Sequence, residues 1–388
     1  MTMQLNDSKY SHAVELISAQ GLEGMTEAVK ILINQAMLVE RNRYLQADSY
    51  ERTAERVDYA NGFKPKTLNT RFGALQLSVP QVREGEFYPP FLEKGIRSER
   101  ALKVALAEMY VQGVSTRKVD SILQALCGLS VSSTEVSRCA KLLDEELVQW
   151  RNRPLGEYRY VWVDAVYEKI RNGGSVVDSA VLIAYGLNGA GKREILGVSV
   201  SLSEHEVHWR AFFESLVTRG LHGVTLIISD AHSGLKAARK AVFPSVPWQR
   251  CQFHLQQNAQ SYIPRRDKKE EVAATIRAIF NAENKAEAER LLHQGTERYE
   301  ATMPQLAKWM EENISEGLTV FDFPMDHRRA IRTSNIAERV NEEIRRRTRV
   351  VRIFPNTSAC ERLISAILME TSEGWETGRV YLSLNQEE

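Results

Sequence analysis

Two aspartates stand where strand-like runs could bring carboxylates together. The stretch VTLIISDAHSGLKAA (residues 224–238) is an apolar run that ends in Asp230, His232 and Gly234 before a helix-like pattern begins. Asp164 lies inside a second such run, YVWVDAVYEKI (residues 160–170). In a mixed sheet these strands can be neighbours, and ligand sites gather at strand ends. Apposed carboxylates repel and raise each other's pKa, so a cation or a shared proton is needed to keep them together. Oxygen-only ligation with open positions suits magnesium. Two such ions about 4 Å apart can activate a nucleophile and stabilise a leaving oxygen in phosphodiester chemistry. The alternative is that Asp230 caps the helix starting near Ser233.

A third acidic ligand is then wanted, and RTSNIAERVNEEIRRRTRVVR (residues 332–352) offers Glu338. On a helical wheel Ile336, Val340, Ile344 and Val351 form one apolar face, while Glu338, Arg345 and Arg349 fall within about 20° of one another on the other side. Residues 328–352 carry nine arginines against three glutamates in a chain whose net charge is only +1. Arg345 and Arg349 are therefore expected to track DNA phosphates away from a metal-binding Glu338. The competing reading is a solvated helix with ion pairs such as Glu342 with Arg345 or Arg346.

Two other motifs carry less. GLNGAGKR (residues 186–193) satisfies the first seven positions of a phosphate-binding P-loop, but Arg193 replaces the Ser or Thr that would bind magnesium. The segment also joins two strands instead of opening a helix, so a Gly-rich hairpin turn explains it. Cys251 and His254 form C-x-x-H, half of a zinc site with no second pair at ligand spacing. His205, His208 and His232 lie too far away in sequence to support completing it, so packing or hydrogen bonding near the active site is the expected role. A Cys-His nucleophilic pair would leave the acidic residues unexplained.

The elements that must position these residues follow from composition and periodicity. A chain of 388 residues, 43% hydrophobic and 26% charged, is ordinary for a folded soluble protein. At one domain per ~150 residues it accommodates two or three domains. No leader-like start or membrane-length apolar run is present, and four scattered cysteines suit a reducing compartment, so a cytosolic location is expected. Residues 11–60 show helical periodicity, and the Gly- and Pro-rich residues 61–90 suggest a small β-hairpin. Helices return over residues 97–150. There Val119, Ile122, Leu123 and Leu126, then Val136, Cys139, Ala140 and Leu143, repeat a helical spacing across a Gly-containing turn, with Ser115 and Ser132 as caps. This fits a helix-turn-helix whose second helix (residues 132–143) lies in a DNA major groove and presents Thr134 and Arg138, or else an ordinary helical hairpin. After the linker-like RNRPLGE, three strand-like segments precede a helix-strand-helix-strand order, which suggests a mixed sheet with helices packed on it. Residues 256–315 read as helix throughout and look inserted.

In order along residues 50–355, MYVQGVSTRKV, RYVWVDAVYEKIR, REILGVSVSLSEHEVHW, LIISDAHSGL, WQRCQFHLQQN and RTSNIAERVNEEIRRRTRVVRIFPN resemble the bacterial Mutator-type insertion-sequence transposases. The resemblance implies an α/β fold with a ribonuclease H-like core, interrupted by an all-helical insertion and preceded by a mainly helical DNA-binding region. Its Asp-Asp-Glu triad maps onto Asp164, Asp230 and Glu338, its C-x-x-H element onto Cys251 and His254, and the tryptophan before that element onto Trp209. It also implies Mg2+ or Mn2+, two ions and no organic cofactor, recognition of terminal inverted repeats and target DNA, and a homodimer or higher homo-oligomer. No membrane partner is expected, and the location is the bacterial cytoplasm with the nucleoid. The domain order expected is a helical region (1–60), a small β unit (61–96), a helix-turn-helix-like region (97–153), the first part of the core (154–255), the insertion (256–327) and the rest of the core (328–388). A non-catalytic DNA-binding regulator and a structure-specific nuclease on the same core are the alternatives.

Overall fold

The structure is a computed structural model, and residues 7–90, 92 and 98–384 are described. The chain divides into two compact units, Met1–Leu142 and Leu143–Glu388.

In the first unit, α1 (Asp7–Gln20) and α2 (Met25–Leu45) precede an antiparallel hairpin of β1 (Ala60–Thr70) and β2 (Gly73–Val82). Strict alternation along β2 turns Leu75, Leu77 and Val79 inward, where they meet Met37 of α2. Three helices follow: α3 (Arg100–Val111), α4 (Thr116–Cys127) and α5 (Ser133–Ala140). Ser115 accepts from the Lys118 amide and Ser132 from the Glu135 amide, so both expected caps form. The α4–α5 turn begins at Gly128 with φ 65° and is pinned by Asp120, which accepts from Ser130 Oγ and the Val131 amide. Those two donors hold the Asp120 carboxyl below its usual range. The apolar face of α4 is narrower than the spacing suggested. Val119 and Leu123 are buried with Leu106 and Val136, but Leu126 is 76% exposed, because successive i+4 steps carry the buried stripe to Cys127 instead.

The second unit opens with α6 (Asp144–Asn152) and the meander β3 (Tyr158–Asn172), β4 (Ser175–Asn188) and β5 (Arg193–Ser201). Then come α7 (Glu206–Thr218), β6 (Leu226–Ser229), α8 (Ser233–Val242) and β7 (Trp248–Arg250). The strand order is β5-β4-β3-β6-β7, antiparallel from β5 to β3 and parallel from β3 to β7. Helices cover both faces, which is why the central strands read as nearly continuous apolar runs. Val161 and Val163 of β3 pack with Trp209, Phe212 and Phe213 of α7 and Leu235 of α8. The alternate residues point the other way. Tyr160 bonds His327, Trp162 donates from Nε1 to the Thr333 carbonyl, and Asp164 bonds Asn341.

Residues 252–313 are helical with breaks: α9 (Gln252–Ala259), α10 (Lys269–Phe280), α11 (Lys285–Glu300) and α12 (Pro304–Asn313). They share buried side chains such as Ile276, Tyr299, Leu306 and Met310. Arg250, at the end of β7, pairs with Asn313 at the end of α12 and with Glu316 just beyond it. The chain then runs through α13 (Met325–Ile331) and α14 (Asn335–Thr348) to α15 (Thr357–Glu376), whose buried Leu363, Ile364, Ile367 and Leu368 close the second face of the sheet. Among the described residues no helix is long and apolar enough to cross a membrane.

Candidate active site

The register of β3 against β6 sets the positions of the two aspartates. Tyr160 pairs with Leu226, Val161 with Ile227 and Trp162 with Ile228. The same offset carried two residues further makes Asp164 level with Asp230, where β6 has ended. Adjacent strands lie about 4.8 Å apart, so the two carboxyl groups start from neighbouring positions. Asp230 also accepts from the next amide, that of Ala231, at 2.7 Å. The helix following it has His232 as its N-cap and no side-chain cap, so Asp230 does not cap α8.

Glu338, in the first turn of α14, approaches His254, which the charges of Asp230 and Asp164 also reach. Asn341, one helical turn beyond Glu338, donates from Nδ2 to Asp164 Oδ2 at 2.7 Å and ties that helix face to β3. His254 of α9 stands among the acids, its Nε2 4.0 Å from Glu338 Oε1. Contact with the Cys251 thiol, then the negative charges of Asp230 and Asp164, push His254 up to about 9 against the opposing effect of burial. Its positive charge at neutral pH offsets part of the carboxylate repulsion. Burial pushes the Asp164 carboxyl up, with the Asp230 charge adding to it, while the Asn341 bond and His254 pull it back.

Cys251 is fully buried and bonded. The Ser334 amide donates to its Sγ at 3.3 Å, and the thiol faces His254. The C-x-x-H pair thus fastens the end of β7 to the start of α14. Trp209 is fully buried on the α7 side of the sheet, across β3 from Asp164, with its ring tilted against that of Phe213 at 5.6 Å.

The donor chemistry around His254 fits a hard divalent cation, since the three acids offer only oxygen ligands and the Asp164 carboxylate is disfavoured by burial until a positive charge compensates. The arrangement is looser than a coordination sphere. Among the described residues no three His, Cys, Asp or Glu side chains stand close enough to hold one ion.

The arginine run separates into two sets. Arg328 donates to the carbonyls of Phe321, Phe323 and Glu283, and Arg332 to Asn281. Arg346 and Arg347 both pair with Glu343, and Arg347 also with Glu370. These four are structural, and the intrahelical acid is Glu343 rather than Glu342. Arg329, Arg339, Arg349 and Arg352 are exposed and make neither ion pair nor side-chain hydrogen bond among the described residues. Arg345 is exposed too, and its charge reaches the half-buried Glu168 without a direct bond. Ile336, Val340 and Ile344 line the buried face of α14 as expected, whereas Val351 lies beyond the end of the helix. In the first unit Thr134 and Arg138 are exposed one turn apart on α5, and Arg138 keeps a loose 3.5 Å pair with Glu135.

Asn341 was missing from the sequence reading. Its i+3 spacing from Glu338 was the available signal.

These elements define an α/β protein with a mixed sheet and an acidic cluster where its parallel strands end. A family model described as "Transposase, Mutator family" matches residues 2–378. The chain is 55% identical over 387 residues to the transposase for insertion sequence element IS406 of Burkholderia multivorans, covering 99% of this chain and 100% of that protein. It is 41% identical to the transposase for ISRM5 of Rhizobium meliloti (97% of this chain, 94% of that one). The transposase for IS256 in transposon Tn4001 of Staphylococcus aureus is 38% identical, with 92% of each chain covered. The chain belongs to the Mutator family of transposases.

Proposed function

We propose that this protein cuts and joins DNA at the ends of an insertion sequence, with Asp164, Asp230 and Glu338 holding divalent metal, Mg2+ or Mn2+, on a ribonuclease H-like core. The observation that carries this reading is the β3–β6 register, which levels two aspartates, together with the Asn341 bond that brings the Glu338 helix to the same point. The strand order, with three antiparallel strands followed by two parallel ones, supports the same core. Residues 256–327 would be the all-helical insertion in it. Ions bound there would polarise the scissile phosphate and lower the pKa of an attacking water. Asn341 fixes the orientation of Asp164, and His254 offsets the negative charge of the cluster. In the first step a water oxygen bonds to phosphorus and the P–O3′ bond breaks, leaving a 3′ hydroxyl on the element and a 5′ phosphate on the flank. In the second, that hydroxyl attacks a target phosphodiester and displaces its 3′ oxygen. No organic cofactor is needed.

The α4–α5 pair would read the terminal repeats, with Thr134 and Arg138 on its exposed face and Arg345 and Arg349 on phosphates near the site. The protein would work in the cytoplasm on nucleoid DNA, as a homodimer or higher homo-oligomer able to hold two ends. Incubation of the purified protein with Mg2+ and DNA carrying the element's ends tests the reading. Nicked and joined products that disappear with EDTA are expected. Binding without cutting would mean a regulator, and cutting without joining a nuclease.

A further inference from the structure

The hairpin turn that mimics a P-loop leads into a different anion site. Gly191 in that turn adopts φ +71°, and its carbonyl accepts the amides of Tyr381 and Leu382 at 2.8 and 3.2 Å. A Cβ at Gly191 would collide with the Leu382 carbonyl, so the close approach needs glycine. The tie lays the segment after α15 over the start of β5 and fixes Arg193. Its guanidinium sits between the rings of Trp375 and Tyr381, 4.7 and 4.6 Å from their centroids.

Arg193, Arg329 of α13 and Arg339 of α14 line one cavity of about 350 Å³, together with Asn335 and Tyr381. Asp326 is the single acid in its wall, so the cavity carries a net charge of about +2 from its side chains. No carboxylate pairs with any of the three guanidiniums among the described residues. Burial and the like charge of Arg339 hold Arg193 below the usual arginine range, the state of a cation whose neighbour is uncompensated. The first turn of α14, which has no side-chain cap, also faces this space through Asn335 and Ile336. Glu338 is the residue before Arg339, so the cavity and the acidic cluster draw on the same helix, α14.

We propose that this cavity is a phosphate-binding subsite in which Arg193, Arg329 and Arg339 share one phosphate group of a DNA strand lying at the acidic cluster. Planar guanidinium forks suit bidentate bonds to phosphate oxygens, and ring stacking pre-orients that of Arg193. The phosphate is either a diester within the strand or the 5′-terminal monoester left by a nick. The inference rests on the proposed reading that the protein acts on DNA.

Its test is binding without chemistry. Fluorescence anisotropy in EDTA, across a salt series, would compare the full-length protein with Arg329→Gln, Arg339→Gln and the double variant on random duplexes nicked at one position. The nick carries either a 5′ phosphate or a 5′ hydroxyl. Both arginines are exposed and unbonded, so the variants should fold, and Arg298→Gln on the helical insertion is the charge-matched control. Because the two guanidiniums share one phosphate, each single variant should flatten the slope of log affinity against log salt by up to about 0.9, and the double variant by no more than that. Loss on both DNAs identifies a diester, and loss on the 5′-phosphorylated nick alone identifies the terminal phosphate. An unchanged slope in the double variant, additive losses near 1.8, or an equal loss in Arg298→Gln overturns the subsite. Failure of the unaltered protein to bind any DNA would instead overturn the parent reading.

Discussion

Removing the Asn341 amide should damage cleavage without touching DNA binding. Asn341 Nδ2 lies 2.7 Å from Asp164 Oδ2 and is the side-chain hydrogen bond that carboxylate receives. A hydrogen bond to a charged group contributes about 1.5–3 kcal/mol. If that full amount is used to hold Asp164 in its working orientation, Asn341→Ala should slow nicking between about 10-fold and about 150-fold, at 1.36 kcal/mol per factor of ten. Asn341→Leu keeps the volume and lacks the donor, so it should match the alanine variant. Single-turnover nicking at saturating Mg2+, with anisotropy for binding and thermal melting for fold, separates the contributions. Nicking at the unaltered rate by both variants would refute the positioning role. A parallel loss of DNA binding would mean that the helix, and not the carboxylate, had been disturbed.

Replacement of both Arg345 and Arg349 by alanine should weaken binding to specific and random DNA alike and reduce the salt slope by about 1.8, as two lost phosphate contacts require; an unchanged slope with a lowered melting temperature would assign them to folding. Thr134→Ala and Arg138→Ala should narrow the difference in affinity between terminal and random DNA, and equal losses on both would remove α5 from sequence reading. Bonds from Arg346 and Arg347 hold Glu343 down at about 2, well below an ordinary glutamate. A depressed carboxylate contributes stability above its unfolded pKa and loses it as pH falls towards the folded value. Glu343→Gln should therefore lower the urea midpoint at pH 7, with the gap to the unaltered protein closing between about pH 5 and about pH 2; a gap independent of pH would contradict the pairing.

Local patterns were legible where one physical rule dominates. Ser115 and Ser132 precede their helices with a free side-chain oxygen, and both cap. The apolar run ending at Asp230 is a strand covered on both faces, and its abrupt end is where β6 stops. What escaped depends on tertiary partners. Leu126 continues the apolar spacing of α4 yet is exposed, since the packed stripe runs through Val119, Leu123 and Cys127. Glu343 rather than Glu342 pairs within α14 because it lies i+3 and i+4 from Arg346 and Arg347, while Arg347 is also drawn to Glu370 on α15. Asn341 carries no charge and no motif, and its bond to Asp164 forms only once α14 lies across β3. The cavity around Arg193 needs residues 378–382, which have no periodicity to announce them. Spacing pointed to packing or hydrogen bonding for Cys251 but could not name the Ser334 amide that reaches its sulfur.

The central claim is that Asp164, Asp230 and Glu338 act together as metal ligands for DNA cleavage. The most direct measurement is Mg2+-dependent nicking of end-containing DNA by Asp164→Asn, Asp230→Asn and Glu338→Gln, each checked for unaltered affinity for the same DNA in EDTA. Removal of a metal ligand removes chemistry, while phosphate and base contacts lie elsewhere. The account predicts that all three variants bind and none nicks; nicking at the unaltered rate by any one of them would contradict it.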